Sequence, residues 1–399
     1  MLPEPKIDNL FRVHQEGDKL KFALERLTEP SAVEKLEPEM EELFARLPDP
    51  NPYLAPQWLF AWWRHYGEGK EPVVLVVRDA TGRICAYWPF LKVSGIGGSG
   101  LWPWVNNYAN YSDPVADEEA VGCIEVLLAG FYALLKDYHF LWAPFLRESF
   151  WQRWMEPFLA DKPERRMERI PRDVPRAIFP NRDFDAYWNA RQGAKSRKTF
   201  RYVERKLRER GEVSFLVCET EKVVRTHLGA LCELESRGWK QLEKVGLFST
   251  LNARAFLFDL LPSLAAAQRV RLSFLCLDDL PIACELGILD RGSYRLHHLA
   301  YDEAYDCDSP GRQLLARNLR KCCEEGRLTF DFLPGANAYK RKLATEETVV
   351  RELHLFRSSL AGFFTRRSIE ANLRKRKKMH QQQGIHTRAD RNANEVIRE

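Results

Sequence analysis

Leu299–Lys340 reads LAYDEAYDCDSPGRQLLARNLRKCCEEGRLTFDFLPGANAYK, and its punctuation decides the fold. A strand runs out at Tyr301-Asp302, a Ser309-Pro310-Gly311 turn comes next, and a helix opens on Arg312. The helix stops at Gly326, and a second strand carries Phe330-Asp331-Phe332 into a turn at Gly335 and then Tyr339-Lys340. A glycine turn at a helix start leaves backbone N–H groups without acceptors at the positive end of the helix dipole, a place suited to phosphate. The N–H groups of Gly311, Arg312, Gln313 and Leu314 would cradle a diphosphate, with Arg312 adding charge. The same residues also read as an ordinary helix start, with Ser309 as cap and Pro310 in the first turn.

Upstream, Val270–Leu277, Pro281–Asp290 and Tyr294–Tyr301 are apolar runs separated by turns at Asp278-Asp279 and Arg291-Gly292, an antiparallel meander. Helices over Phe184–Arg210, Thr220–Arg237 and Ala253–Ala267, with a strand at Val213–Cys218, precede it, and Val349–Phe356 supplies a last strand. A shorter version of this order lies earlier. Asn51–Tyr66 reads as a turn and an aromatic helix, Pro72–Arg78 and Arg83–Val93 as a hairpin about Asp79–Gly82, Val121–Lys136 as a helix and Tyr138–Ala143 as a strand. The expected organisation is an extension over 1–50, α/β units over 51–176 and 177–360 joined through a Pro- and Arg-rich connector at 162–176, and a mobile or disordered tail over 361–399.

At 399 residues, 45% of them hydrophobic and 12% aromatic, the chain is too large for one ordinary core and too apolar to be disordered. No run is long and apolar enough to span a membrane, and the N-terminus lacks a signal-peptide layout, so a cytoplasmic location is expected. Nine cysteines without a CxxC pair suit reduced thiols and imply no metal site. Of the net charge of +5, the stretch 365–399 supplies +6 (ten Lys/Arg, four Asp/Glu), so the body is left at −1 and a DNA-binding role loses support. No GxxxxGK[ST], HExxH or GxSxG motif occurs.

The candidate chemistry rests on polar residues in apolar company. Glu285 in PIACELGIL is a carboxylate that must pair or work, and it is the leading general base. His297 and His298 end the next strand, and period-2 alternation turns only one of them toward a site. Asp331 either holds a loop or serves the site, and Tyr339 is placed to protonate a leaving group or simply to pack. Trp239-Lys240 suits an anionic or acyl ligand, or is a surface pair. Lys195–Arg210 is the densest basic segment, with Phe200, Val203 and Leu207 on one face; it is either a solvated helix face or a surface for an anionic substrate, RNA or lipid.

Taken together, Trp239-Lys240, the meander ending in Tyr301-Asp302, the Ser309-Pro310-Gly311 turn and Asp331-Phe332, Gly335, Tyr339-Lys340 resemble the CelD-like branch of the GNAT acyltransferases, associated with cellulose and exopolysaccharide synthesis. The layout is also similar to the Fem-type peptidyltransferases. The resemblance implies an α/β fold of tandem GNAT-like units, each a mixed, mainly antiparallel sheet flanked by helices. It implies transfer of an acetyl or acyl group from acetyl-CoA or acyl-CoA to a small-molecule amine, with no metal. Ser309–Leu314 would hold the CoA diphosphate. Glu285, His298, Asp331 and Tyr339 would serve catalysis, and Trp239, Lys240, Tyr301, Asp302 and Lys340 the substrate. Residues 306–311 (DCDSPG) depart from the Q/R-x-x-G-x-G/A pattern by having one glycine and no leading Gln or Arg. That departure leaves room for an aminoacyl-tRNA donor, as in Fem-like transferases, or for a non-catalytic assembly role.

Overall fold

A computed structural model describes residues 21–95, 98–104, 109–162, 165–237, 248, 250–335 and 337–382. In chain order its elements are β1 (Phe22–Leu27), α1 (Pro30–Glu34), α2 (Glu37–Arg46), α3 (Pro56–Tyr66), β2 (Glu71–Asp79), β3 (Ile84–Gly95), β4 (Gly98–Pro103), β5 (Val115–Ala116), α4 (Cys123–Ala133), β6 (Phe140–Arg147), α5 (Glu148–Phe150), α6 (Glu156–Leu159) and β7 (Arg165–Ile178). Next come α7 (Phe184–Arg191), α8 (Ala194–Arg208), β8 (Val213–Cys218), α9 (Glu221–Arg237), α10 (Leu251–Ala266), β9 (Val270–Leu277), β10 (Leu280–Leu289), β11 (Ser293–Tyr301), α11 (Pro310–Glu324), β12 (Thr329–Asp331), α12 (Ala338–Leu343), β13 (Glu346–Phe356) and α13 (Leu360–Gln382). Two compact units result: the first from the described residues among 1–60, 67–173 and 349–399, the second from 61–66 and 174–348.

The first unit builds its sheet in the order β1-β2-β3-β4-β6-β13, with β5 on β3. Every pair in it is antiparallel except β4 with β6. Its core is aromatic: the ring of Phe131 on α4 stacks on Phe90, with centroids 5.4 Å apart, and lies 4.6 Å from the ring of Trp88.

The second unit orders its strands β7-β12-β11-β10-β9-β8, using Arg176–Ile178 of β7. Here too a single pair, β11 with β12, is parallel. The expectation of mixed, mainly antiparallel sheets flanked by helices is met in each unit. All eight residues of β9 are buried, which is why its sequence VRLSFLCL shows little alternation. Leu314 and Leu315 of α11, with Leu319 one turn on, form a stripe that packs on Leu275, Ile282 and Ala283 at one end and on Tyr294, Leu296 and Phe330 at the other.

Several elements depart from expectation. Most of the expected connector at 162–176 forms β7; its prolines at 171 and 175 mask the strand pattern, yet the Pro175 carbonyl accepts the Phe332 N–H at 3.1 Å. The helix over Phe184–Arg210 is broken at Gln192-Gly193, where Gly193 has extended backbone (ψ 161°). Phe22–Leu27, inside the expected extension, is a strand, and α13 gives the first part of the expected tail a helical form.

Candidate active site

The site is laid out by three strands. In the antiparallel β10/β11 pair, Glu285 lies opposite Leu299, Leu286 opposite His298, and Gly287 opposite Leu296, so His297 is the extra residue of a bulge. Directly opposed residues share a face. Glu285, Gly287, Leu296 and Leu299 therefore sit on one face of the sheet, and Leu286 and His298 on the other. Parallel pairing of β11 with β12 covers only Ser293 with Thr329, Tyr294 with Phe330, and Arg295 with Asp331. Beyond it β11 continues to Tyr301, whereas β12 ends at Asp331. There the chain turns through Leu333, whose φ is +62°, and Asp331 Oδ1 accepts the Leu333 N–H at 2.7 Å. The strands thus part company at the level of His297 and His298.

Glu285 is fully buried. Its Oε1 accepts the Tyr294 hydroxyl at 2.6 Å. The Tyr294 ring reaches it by crossing Gly287: a Cβ there would stand 2.1 Å from Tyr294 Cζ, so glycine is required. Burial pushes the Glu285 carboxyl up to about 8, and the Tyr294 hydroxyl, Arg271 and Asn318 offset this only in part. Arg271, itself buried, is held by Glu325 at 2.7 Å and Glu219 at 2.6 Å. Half-buried Tyr339 packs on the same core as Tyr294 and Phe330, and burial, followed by the Glu285 charge, holds its phenol above the ordinary range.

On the opposite face, His298 Nε2 lies 3.0 Å from Glu235 Oε1 of α9, both side chains buried. Glu235 Oε2 accepts the Phe248 N–H at 2.7 Å. This carboxylate fixes the ring orientation.

The start of α11 closes the layout. Asp302 Oδ1 accepts the Ala304 N–H at 3.0 Å, its Oδ2 lies 3.5 Å from Arg237, and Tyr301 donates to Asp306 Oδ1 at 3.0 Å. Ser309 takes the left-handed conformation (φ +49°) and makes no side-chain cap. Its carbonyl accepts the Gln313 N–H at 3.1 Å, and Pro310 has no N–H to offer. By position in the helix, the N–H groups left without intrahelical acceptors are those of Gly311 and Arg312. Gly311 lies under the Tyr301 ring, 3.1 Å from where a Cβ would be.

The other expected cradle residues serve the fold. Gln313 Nε2 donates to the Asp308 carbonyl at 2.9 Å, and Leu314 is core. The Arg312 guanidinium turns toward α8, donating to Ser196 Oγ at 2.7 Å. Lys340 Nζ donates to the Phe332 carbonyl at 2.7 Å, tying down the chain after β12. Trp239 and Lys240 lie outside the described residues. Among the described residues no group of three or more His, Cys, Asp or Glu is placed to hold a metal ion, and no helix is long and apolar enough to cross a membrane.

Sequence reasoning missed Glu235, Tyr294 and Asn318. Two of them carried a signal. Glu235 falls at helical spacing with buried Leu228, Leu231 and Leu234, and Asn318 with Leu314, Leu315 and Cys322: each is a polar residue on an apolar stripe.

Residues 194–341 match a family model described as Acetyltransferase (GNAT) domain. No curated protein matches the chain. Among solved structures, FemX is similar over 83% of this chain and 97% of its own, at 11% identity and a TM-score of 0.57. A conserved protein of unknown function from Bacteroides thetaiotaomicron is similar over 81% and 97%, at 12% identity and a TM-score of 0.51. The C-terminal domain of a putative lysylphosphatidylglycerol synthetase from Agrobacterium fabrum is similar over 83% and 94%, at 13% identity and a TM-score of 0.51. At these identities the likeness concerns the fold alone.

Proposed function

We propose that the second unit is an N-acyltransferase site that moves an acetyl or acyl group from acyl-CoA to an amine. One observation carries this reading: the free-ended start of α11 lies next in sequence to the strand that parts from β12, inside the span matching the GNAT domain. The Gly311 and Arg312 N–H groups would bind the diphosphate, and Ser309 reaches with φ +49° the left-handed turn that a second glycine would otherwise supply.

The reaction balances without a covalent enzyme intermediate. A neutral amine attacks the thioester carbonyl; its nitrogen forms the new C–N bond and yields its proton to a base. The oxyanion collapses, the C–S bond breaks, and the leaving thiolate takes a proton. Glu285 is our assignment for the base, because its elevated carboxyl titrates near the pH at which amines begin to lose protons. The phenol of Tyr339 stays protonated and suits the acid role. His298, poised by Glu235, is the second candidate base. The CelD-like resemblance favours an amino sugar or similar amine of polysaccharide or envelope synthesis as acceptor.

A second reading has its own support. Lys195, Lys198 and Arg201 on α8 have no ion-pair partner among the described residues, a surface that would suit the phosphates of an aminoacyl-tRNA donor. Calorimetric titration with acetyl-CoA and with a charged tRNA separates the two: the acyl-CoA reading expects saturable one-to-one acetyl-CoA binding, whereas tRNA binding that weakens steeply with salt and no acetyl-CoA heat would replace it.

A further inference from the structure

We infer that Arg312, Lys342 and Ser196 form a phosphate-monoester subsite, and that its ligand is the 3′-phosphate of the CoA donor; this rests on the acyl-CoA reading of the second unit. Two cations converge there on one hydroxyl. Arg312 Nη2 lies 2.7 Å from Ser196 Oγ, and Lys342 Nζ of α12 lies 3.4 Å from the same oxygen. Ser196 donates its own proton to Oε1 of buried Gln192 at 2.8 Å, so the hydroxyl oxygen is fixed as an acceptor facing both cations.

Neither cation has a carboxylate partner among the described residues. Their neighbours do: Arg317 pairs with Glu204, Arg320 with Asp185, and Arg341 with Glu347. Two like charges held together without a counter-ion are unfavourable. Burial lowers the affinity of Arg312 for its proton, and burial followed by the Arg312 charge does the same to Lys342. A dianion between them would relieve the repulsion and complete the charge-assisted bonds of a guanidinium and an ammonium. The first turn of α8 adds to this: it contains Ser196, its cap residue Gly193 has no side chain to bond the free N–H groups, and it has no acidic residue.

Position selects the ligand. Arg312 offers its backbone N–H to the diphosphate cradle and its side chain to this cluster. CoA carries its 3′-phosphate on the ribose attached directly to that diphosphate. A phosphate monoester one arginine side chain away from the diphosphate is what the molecule supplies.

The test compares CoA with 3′-dephospho-CoA by calorimetry on wild type, Lys342→Gln and Ser196→Ala, with thermal melting as the check on folding. Wild type should bind CoA about tenfold or more tightly than 3′-dephospho-CoA, as expected for losing charge-assisted contacts. Lys342→Gln should erase most of that difference while leaving 3′-dephospho-CoA affinity within about twofold of wild type; Ser196→Ala should narrow it. Equal affinity of wild type for the two nucleotides, or a preference undiminished in Lys342→Gln, overturns the subsite and leaves the acyl-CoA reading standing. Binding of neither nucleotide overturns both.

Discussion

The two units build the same strand arrangement and furnish it with opposite chemistry. In the first, β4 pairs in parallel with β6 only at Gly100 with Phe140 and Leu101 with Leu141; in the second, β11 pairs with β12 over three residues. Beyond the parallel pair the units diverge. In the first unit the chain returns against the far end of β6: the Ser112 N–H donates to the Phe145 carbonyl at 3.3 Å, the Ser112 hydroxyl to the Pro144 carbonyl, and the Arg147 guanidinium to Asp113 at 2.9 Å. Trp88 Nε1 locks the segment from inside by donating to the Ser112 carbonyl at 2.8 Å. The next helix, α4, has Glu125 in its first turn, a start hostile to phosphate. In the second unit the corresponding helix opens with Pro310-Gly311-Arg312 and has no acid in its first turn. Under the proposed reading, the residues at the next helix start, and not the splayed strands alone, decide where a diphosphate would bind.

Substitutions can break this contrast. The largest effect is expected from Glu285→Gln, which removes the assigned base and should lower kcat by roughly a hundredfold or more in a thiol-release assay. Glu125→Gln, at the helix start of the first unit, should leave turnover within about twofold because Glu125 is exposed and outside the proposed chemistry. If His298→Gln abolishes turnover while Glu285→Gln retains it, the base belongs to the His298–Glu235 pair instead.

Next in size is the cost of opening the lock in the first unit. Asp113 is buried and Arg147 is its partner at 2.7 Å, so Arg147→Ala should destabilise the protein by about 3 kcal/mol in denaturant melts. Acetyl-CoA affinity of the folded variant should be unchanged. A large loss of affinity would mean that the first unit contributes to the donor site.

A smaller signature belongs to Glu285. Its folded-state carboxyl titrates at about 8 against 4.5 ordinarily, so between these values the native state holds a proton the unfolded chain has released. Stability contributed by this group is therefore full below 4.5 and falls as pH rises toward about 8. Glu285→Gln should flatten that part of the stability–pH curve, and an unchanged slope would show that the carboxyl is ionised in the fold. The smallest effect is expected at Ser309, where glycine removes a left-handed strain worth about 1 kcal/mol; Ser309→Gly should melt higher while still binding acetyl-CoA.

Legibility in the sequence tracked locality. The meander β9–β10–β11, the hairpin of β2 and β3 and the start of α11 announce themselves through turns and apolar runs within a few residues. Strand β7 does not, because Pro171 and Pro175 and its arginines hide a strand whose partners lie far away in sequence. Glu285 stood out as a carboxylate in an apolar run, but its partner Tyr294 depends on the register of two strands and on the space over Gly287. His298 was visible, and its orientation was not: the bulge at His297 shifts the alternation that would have set its face. Arg312 reads as part of a cradle from its place in the turn, whereas its side chain answers to Ser196, over a hundred residues upstream.

That the start of α11 receives the diphosphate of an acyl-CoA is tested most directly by titrating acetyl-CoA into wild type and Gly311→Leu. Saturable binding to wild type is expected, lost in a Gly311→Leu protein that still melts cooperatively. Undiminished affinity in that variant would contradict the assignment.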